Sequence, residues 1–412
     1  MKVIKKDGTL QDYDEQKIIN AVNKSASRAL FNFTQEDYSL ICNKVFEEIE
    51  AENFDDEEIP VLFIHGAVEK VLLENFPSVG KSYQQYRDYK LDFVHMMDEV
   101  FEKSQSIMYI GDKDNANTDS ALVATKRSLV FNVLNKELYK KFFMTREERQ
   151  ACNDGYIYVH DMSARRDTMN CCLFRLGEVM KGGFEMGNTW YNEPNTLDVA
   201  FDVMGDIILS TAAQQYGGFT VPRVDTILVP YAEKSYEKYK EEFFEVMGMI
   251  ENTDGVYLDC ISTVTFDSQA EKYAFNKVQR DFEQGWQGIE YKLNTVGSSR
   301  GDYPFVTMTF GLDTSPFGKM ASLTFLKNHQ EGQGKKGFKR PVLFPKLVFL
   351  YDKNLHGPGC VSENIFEAAV SCSMCTMYPD WLSLTGEGYV PEMYKKYGEV
   401  VSPMGKCKLQ PM

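Results

Sequence analysis

The spacing of apolar positions in the first hundred residues is helical, apart from one short extended stretch at the start. "VIKKDGTLQDYD" sets apolar residues on both sides of a Lys-Asp-Gly turn, the pattern of a tight hairpin. Asp14 then stands where a helix needs an N-cap, and Ile18, Ile19, Val22 and Ala26 recur at helical spacing. Further helices are expected over "QEDYSLICNKVFEEIEA", over "VLFIHGAVEKVLLEN", and from about Ser82 through "YQQYRDYKLDFVHMMDEVFEKS", with a Gly/Pro break near 77–80. Beyond these the period switches repeatedly. Residues 119–150, 195–217 and 269–293 read as helices, whereas "TILVPY", "GVYLDCISTVTF", "YPFVTMTFGL" and "PVLFPKLVFLYD" read as buried strands. That alternation predicts an α/β domain. "KNHQEGQGKKGFKR" (327–340) reads as a polar, basic surface loop, and no internal repeat is evident.

Composition narrows the function classes. The 412 residues suffice for two or more domains. A net charge of −15 argues against a broad electrostatic grip on nucleic acid, but leaves room for small anions in local basic or helix-terminal pockets. No apolar run approaches the roughly 18–20 residues that span a bilayer, and "MKVIKKDGTL" lacks the apolar core of a secretory signal. Nine scattered cysteines read as reduced thiols, so a cytoplasmic protein without membrane or nucleic-acid partners is expected.

Four places carry candidate chemistry. Lys5, Lys6 and Lys17 surround a turn at Gly8 and a helix start; they are either a solvated cluster or a cradle for a triphosphate. Adjacent cysteines at 171 and 172 point to opposite faces if the segment is a strand, so one alone can serve a given pocket. Asn115, Asn117, Asp119 and Ser120 precede a helical run, either as caps or as groups that meet ribose and phosphate. Cys372 and Cys375 form a Cys-x-x-Cys, but no second ligand pair lies nearby and His356 does not complete a zinc set, so a structural role is expected.

These strings resemble known families. Lys5-Lys6-Asp7-Gly8, Tyr13 and Lys17-Ile18, followed by "YQQYRDYK", resemble the ATP-cone, the nucleotide-sensing domain of many ribonucleotide reductases. "YVHDMSARRDTMNCCLFRLG", "GFEMGN", "QYGGFTVPRVD", the Asn-Ala-Asn-Thr-Asp-Ser segment and "LFPKLVF" resemble the anaerobic, class III ribonucleoside-triphosphate reductase family. The implied fold is α/β: a hairpin-plus-helices ATP-cone over 1–92, then an incomplete ten-stranded α/β barrel of the glycyl-radical type over 93–412.

The resemblance implies the remaining roles. Cys171, after Asn170, takes the place of the family's active-site cysteine, and Cys172 falls on a variable position. "PMGKC" resembles the family's finger loop, whose cysteine becomes a thiyl radical; Cys407 is the corresponding thiol. Lys406 interrupts that string and "KLQPM" does not match the next strand, so a shifted reading frame or truncation after Gly405 is expected as readily as a working insertion. Asn115, Asn117, Asp119, Ser120 and Asn170 would meet substrate; Lys5, Lys6, Gly8 and Lys17 would meet ATP or dATP as effector. The expected partners are ribonucleoside triphosphates, an S-adenosylmethionine-dependent activase and a second subunit in a homodimer. Formate or a dithiol would be the reductant, with the glycyl radical and a zinc site beyond residue 412. The chain alone is therefore expected not to turn over. Another glycyl-radical enzyme, of the pyruvate formate-lyase type, and a non-catalytic nucleotide-binding remnant are the rival readings.

Overall fold

The structure is a computed structural model that describes residues 1–52, 54, 58–110, 121–165, 169–251, 268–295 and 301–398. It divides into two compact units, Met1–Lys103 and Ser104–Met412.

In the first unit, β1 (Lys2–Ile4) and β2 (Leu10–Asp12) form the expected hairpin, with Lys2 opposite Asp12 and Ile4 opposite Leu10. Gly8 turns the chain at φ +80°, a conformation cheap only for glycine. Asp14 caps α1 (Glu15–Arg28), its carboxylate accepting the Gln16 N–H at 2.9 Å. Then come α2 (Gln35–Glu52), β3 (Glu58–Pro60), α3 (Val61–Asn75) and α4 (Pro77–Ile110). β3 pairs parallel to β1 on the edge away from β2. Three residues are too few for a period to register, so this strand was not foreseen. Val22, Ile41, Val45, Ile59, Val68 and Leu72 form the core.

The break expected near 77–80 is a single residue, Phe76, and "PSVG" is the first turn of α4. Proline fits a first helical turn because its missing N–H would have no partner there. Gly80 serves close packing: a Cβ on it would lie 2.7 Å from the Leu73 backbone nitrogen of α3.

After the last residues of α4, which fall in the second unit, come α5 (Val123–Phe143) and α6 (Arg146–Asn153). The single helix expected over 119–150 is thus two. The chain extends at Met144, and Thr145 with Glu148 forms a reciprocal capping box that starts α6 afresh. There follow β4 (Cys172–Leu173), α7 (Leu176–Met180), a small hairpin of β5 (Phe184–Met186) and β6 (Thr189–Tyr191), α8 (Leu197–Ala213), β7 (Phe219–Val221), α9 (Val224–Glu251) and α10 (Gln269–Leu293). The remainder is β8 (Val306–Phe310), α11 (Pro316–Glu331), β9 (Lys346–Tyr351), α12 (Lys353–His356), α13 (Glu363–Thr376), β10 (Asp380–Ser383) and α14 (Tyr389–Tyr397).

Two strand-and-loop expectations fail. "TILVPY" lies inside α9, Pro230 included. Its short apolar run imitates a strand, but the longer window places Val224, Leu228, Tyr231, Ala232 and Ser235 on one buried helical face. The loop expected over 327–340 is helical as far as Glu331; a bridge between Gln333 and Arg340 closes the turn after it. "GVYLDCISTVTF" lies outside the described residues.

β10, β9, β8, β7 and β4 form one parallel sheet in that order. Strand order follows chain order without reversal. Crossovers of constant hand then put the connecting helices on one face, as in a barrel wall and unlike a doubly wound sheet, while Val390 and Tyr394 of α14 pack against Leu350 on the other. Phe219, Val221, Val306, Met308, Phe310, Leu347 and Phe349 face the helices and join Phe201, Phe282, Trp286 and Phe325 in the main core. The Trp286 and Phe325 rings stack there at 3.9 Å. The opposite face carries Thr220, Thr307, Thr309 and Lys346, none of which belongs to that core. Five parallel strands are present among the described residues, an open segment of the expected wall.

The turn after β8 is held from two sides by buried side chains. Asp225 accepts the Gly311 N–H at 2.8 Å, and the Nε2 of His356 lies 2.8 Å from the Gly311 carbonyl. The Nδ1 of His356 accepts the Asp352 N–H at 3.0 Å, so Nε2 carries the proton. Burial pushes the Asp225 carboxyl up and the His356 imidazole down from their ordinary values.

Candidate functional site

Alternation along β4 separates the two adjacent thiols. Cys172 pairs in register with Phe219 and packs against the main core, where its thiol donates to Gln215 Oε1 at 3.2 Å. Burial pushes the Cys172 thiol up, and the Gln215 hydrogen bond offsets part of that rise. Cys171 precedes it and so belongs to the other face of the sheet. The two thiols therefore do not share one environment.

Asn170 is anchored beside that thiol. Its Nδ2 donates to Asp161 Oδ2 at 3.1 Å, and His160 Nε2 lies 2.9 Å from the same oxygen. The "HD" dipeptide noticed in the sequence is therefore brought against Asn170. The Oδ1 of Asn170 is buried without a hydrogen-bond partner.

Two glycines make this arrangement possible. A Cβ on Gly217 would lie 2.4 Å from the Asn170 carbonyl and 2.7 Å from Cys171 Sγ; one on Gly218 would lie 2.0 Å from the Phe305 ring. "QYGG" is thus a steric requirement: the first glycine clears space for Asn170 and Cys171, the second for Phe305. Next along the face lies the row Leu173, Thr220, Thr307 and Lys346, one residue from each of four neighbouring strands. Thr220 is fully buried and its hydroxyl has no partner. Lys346 Nζ sits 4.7 Å from the centre of the Phe305 ring. The face also carries Leu173, Phe305, Val348 and Leu350, so its thiol, orphaned polar atoms and ammonium are a few polar groups on a mixed surface, which suits a hydroxylated, anionic ligand.

The first unit carries a separate basic site. Ile4 pairs with Pro60, so Lys5 and Lys6 continue beside the start of α3, which has no side-chain cap. The half-buried His65 of α3 shares a proton with the Tyr83 hydroxyl, Nδ1 to oxygen 2.8 Å. Burial first, then the charges of Lys6, Arg87, Lys90 and Lys5, hold its imidazole below the usual histidine value. The start of α3 and four cations thus act on one imidazole, and one of those cations, Arg87, is ion-paired with Glu69. In the turn itself, Asp7 accepts from the Thr9 N–H and hydroxyl at 3.1 and 2.7 Å. Lys17 donates instead to Gln11 on β2 at 3.0 Å and is not among the cations felt by His65.

His65, Arg87 and Lys90 were not foreseen as site residues, although "YRDYK" contains two of them. The missing signal was spatial: only β3 pairing with β1 brings α3 to the hairpin turn. Asn115, Asn117, Asp119, Ser120 and Cys407 lie outside the described residues. Cys372 is buried in the main core while Cys375 is exposed, and among the described residues no group of His, Cys, Asp and Glu is arranged to hold a metal ion.

Residues 114–412 match the family model for anaerobic ribonucleoside-triphosphate reductase, and residues 1–92 match that for the ATP cone domain. The chain is 31% identical over 416 residues to an anaerobic ribonucleoside-triphosphate reductase of Haemophilus influenzae, covering 98% of this chain and 54% of the relative. A relative of the same name from Enterobacteria phage T4 is 33% identical over 306 residues, 71% of this chain and 44% of its own. The chain spans about half the length of the curated relatives it matches. Among solved structures, the Thermotoga maritima anaerobic ribonucleotide reductase in complex with dATP and CTP aligns at TM-score 0.41 and 15% identity, over 71% of this chain and 49% of that one. No described helix is long and apolar enough to cross a membrane.

Proposed function

The chain belongs to the anaerobic ribonucleoside-triphosphate reductase family, and from that membership we propose that this sheet face reduces ribonucleoside triphosphates to 2′-deoxyribonucleotides. The observation that carries this reading is the placement of Cys171, beside Asn170, on the sheet face away from the main core. A thiol S–H and an activated ribose C–H exchange a hydrogen atom without a large energy gap. Cys171 would deliver hydrogen to the 2′ carbon as its hydroxyl leaves as water. Cys407 is the candidate for the thiyl that takes the 3′ hydrogen. Asn170, with Asn115, Asn117, Asp119 and Ser120, would orient the nucleotide. A glycyl radical raised by an S-adenosylmethionine-dependent activase would supply the initiating oxidation, and formate or a dithiol the electrons. The same family reading expects a homodimer. What this chain contributes is positioning and shielding of the reacting ribose.

The orientation of Cys172 speaks against the pyruvate formate-lyase reading, in which adjacent thiols share one acyl group: here the second thiol points into the core toward Gln215. In the first unit, Lys5, Lys6 and Gly8 with His65, Arg87 and Lys90 would hold the phosphates of ATP or dATP as effector, and Lys17 would lie at the margin. Effector binding would act on the reductase by shifting an equilibrium between states.

The test uses the polypeptide that carries this chain, with activase, formate and CTP under strict anaerobiosis. Formation of dCTP is expected from the native protein and from Cys172→Ala, and none from Cys171→Ala. Undiminished dCTP from Cys171→Ala refutes the assignment.

A further inference from the structure

We propose that Lys346 takes the phosphate end of the nucleotide on this face; the inference rests on the reading above, that the face binds a ribonucleotide.

Register places the lysine. Lys346 stands opposite Thr307, which stands opposite Thr220, which stands opposite Leu173. Cys171 lies two residues before Leu173, hence on the same face. One row further toward the strand beginnings, Gly218 is aligned with Phe305, because Phe219 is opposite Val306. The Phe305 ring leans over Gly218, where any Cβ would meet it at 2.0 Å, and the Lys346 ammonium rides over that ring at 4.7 Å from its centre. Cys171, Gly218 and Phe305 sit on three neighbouring strands, so their backbones span about 10 Å, two strand spacings, and the ring leaning over Gly218 lies within that span. A ribose carrying a phosphate chain spans a distance of that order. With its 2′ carbon at the Cys171 sulfur, its phosphates arrive at the ammonium.

Charge supplies the second argument. Lys346 is half-buried at the head of a strand whose next four residues are buried. It forms no ion pair among the described residues, and its one partner there is the face of Phe305. A cation–π contact compensates only part of the lost hydration of an ammonium. An anionic oxygen completes the balance, and a phosphate offers several. The Thr220 hydroxyl, two strands away in the same row, is buried and unpartnered and can donate to the same ligand. A lysine kept only for packing would extend to water, as lysines do; this one is turned over Phe305, which shares a row with the reactive thiol.

The test reads Cys171 itself, so nucleotide bound in the first unit does not register. The full chain is alkylated anaerobically with iodoacetamide, and modification of Cys171, distinguished from Cys172 by fragment mass spectrometry, is followed against CTP or cytidine. In the native chain both protect, CTP at lower concentration. In Lys346→Met the half-protecting CTP concentration rises about tenfold or more, the worth of a charge-assisted hydrogen bond, while that of cytidine is unchanged. Lys346→Arg retains most of the CTP preference. Unaltered CTP protection in Lys346→Met overturns the inference and leaves the reductase reading standing. Equal weakening of CTP and cytidine assigns Lys346 a merely structural role and also overturns it. Failure of both ligands to protect the native chain removes the reductase reading, and the inference with it.

Discussion

Replacing Gly217 by alanine tests whether the site is assembled as described. The new Cβ would stand 2.4 Å from the Asn170 carbonyl oxygen, 2.7 Å from its Oδ1 and 2.7 Å from Cys171 Sγ, all far inside van der Waals contact. The nearest of these is backbone, so no rotamer change relieves it. That same carbonyl accepts the Gly217 N–H at 2.6 Å, and moving it away sacrifices the bond. Overpacking costs about 1–3 kcal/mol, and a lost hydrogen bond about 0.5–1.5 kcal/mol. The sum is about 2–4 kcal/mol. At roughly 1.5 °C per kcal/mol for a unit of this size, the melting temperature should fall by about 3–6 °C. Differential scanning calorimetry measures the shift, and iodoacetamide labelling reports the displaced thiol as an altered rate at Cys171. A fall under about 1 °C together with an unchanged Cys171 rate would show that Gly217 is not holding space for Asn170 and Cys171.

Two further predictions concern titrating groups. Burial raises the Asp225 carboxyl, so its stabilising contribution is complete below the unfolded value and is lost as pH rises through the folded one. Asp225→Asn should therefore gain on the native protein as pH rises above the unfolded carboxylate value, while Asp225→Leu, which leaves the Gly311 N–H unpaired, should cost about 1–3 kcal/mol. Chemical denaturation at several pH values checks both, and an Asn variant that loses ground as pH rises contradicts the assignment. His65 is held below its ordinary value by burial and by Lys6, Arg87, Lys90 and Lys5, so it is neutral in the fold and its contribution is lost as pH falls below the unfolded value, ~6.5. Phosphates added among those cations must raise it: NMR titration of His65 should move upward with ATP and stay put with adenosine, and no ATP-dependent shift would argue against the basic cluster as the effector site.

Local signals in the sequence determined much of this protein. The hairpin turn at Gly8, the Asp14 cap and α3 over Val61–Asn75 follow from a turn dipeptide, a capping side chain and a helical period, all interactions within a few residues. Opposite orientations for Cys171 and Cys172 follow from the strand period alone. Where the reading failed, a short window was ambiguous. "TILVPY" has the composition of a strand and only the spacing from Val224 to Ser235 shows the helix; "PSVG" has the composition of a turn and starts α4. Tertiary structure decided what depends on residues far apart in the chain. β3 on β1 brings the start of α3, and with it His65, beside Lys5 and Lys6. Parallel pairing of four strands aligns Leu173, Thr220, Thr307 and Lys346, and the contacts of Gly217 and Gly218 are with residues 170, 171 and 305. Periodicity tells which face a residue takes, whereas strand order and register, fixed by packing, tell which residues share it.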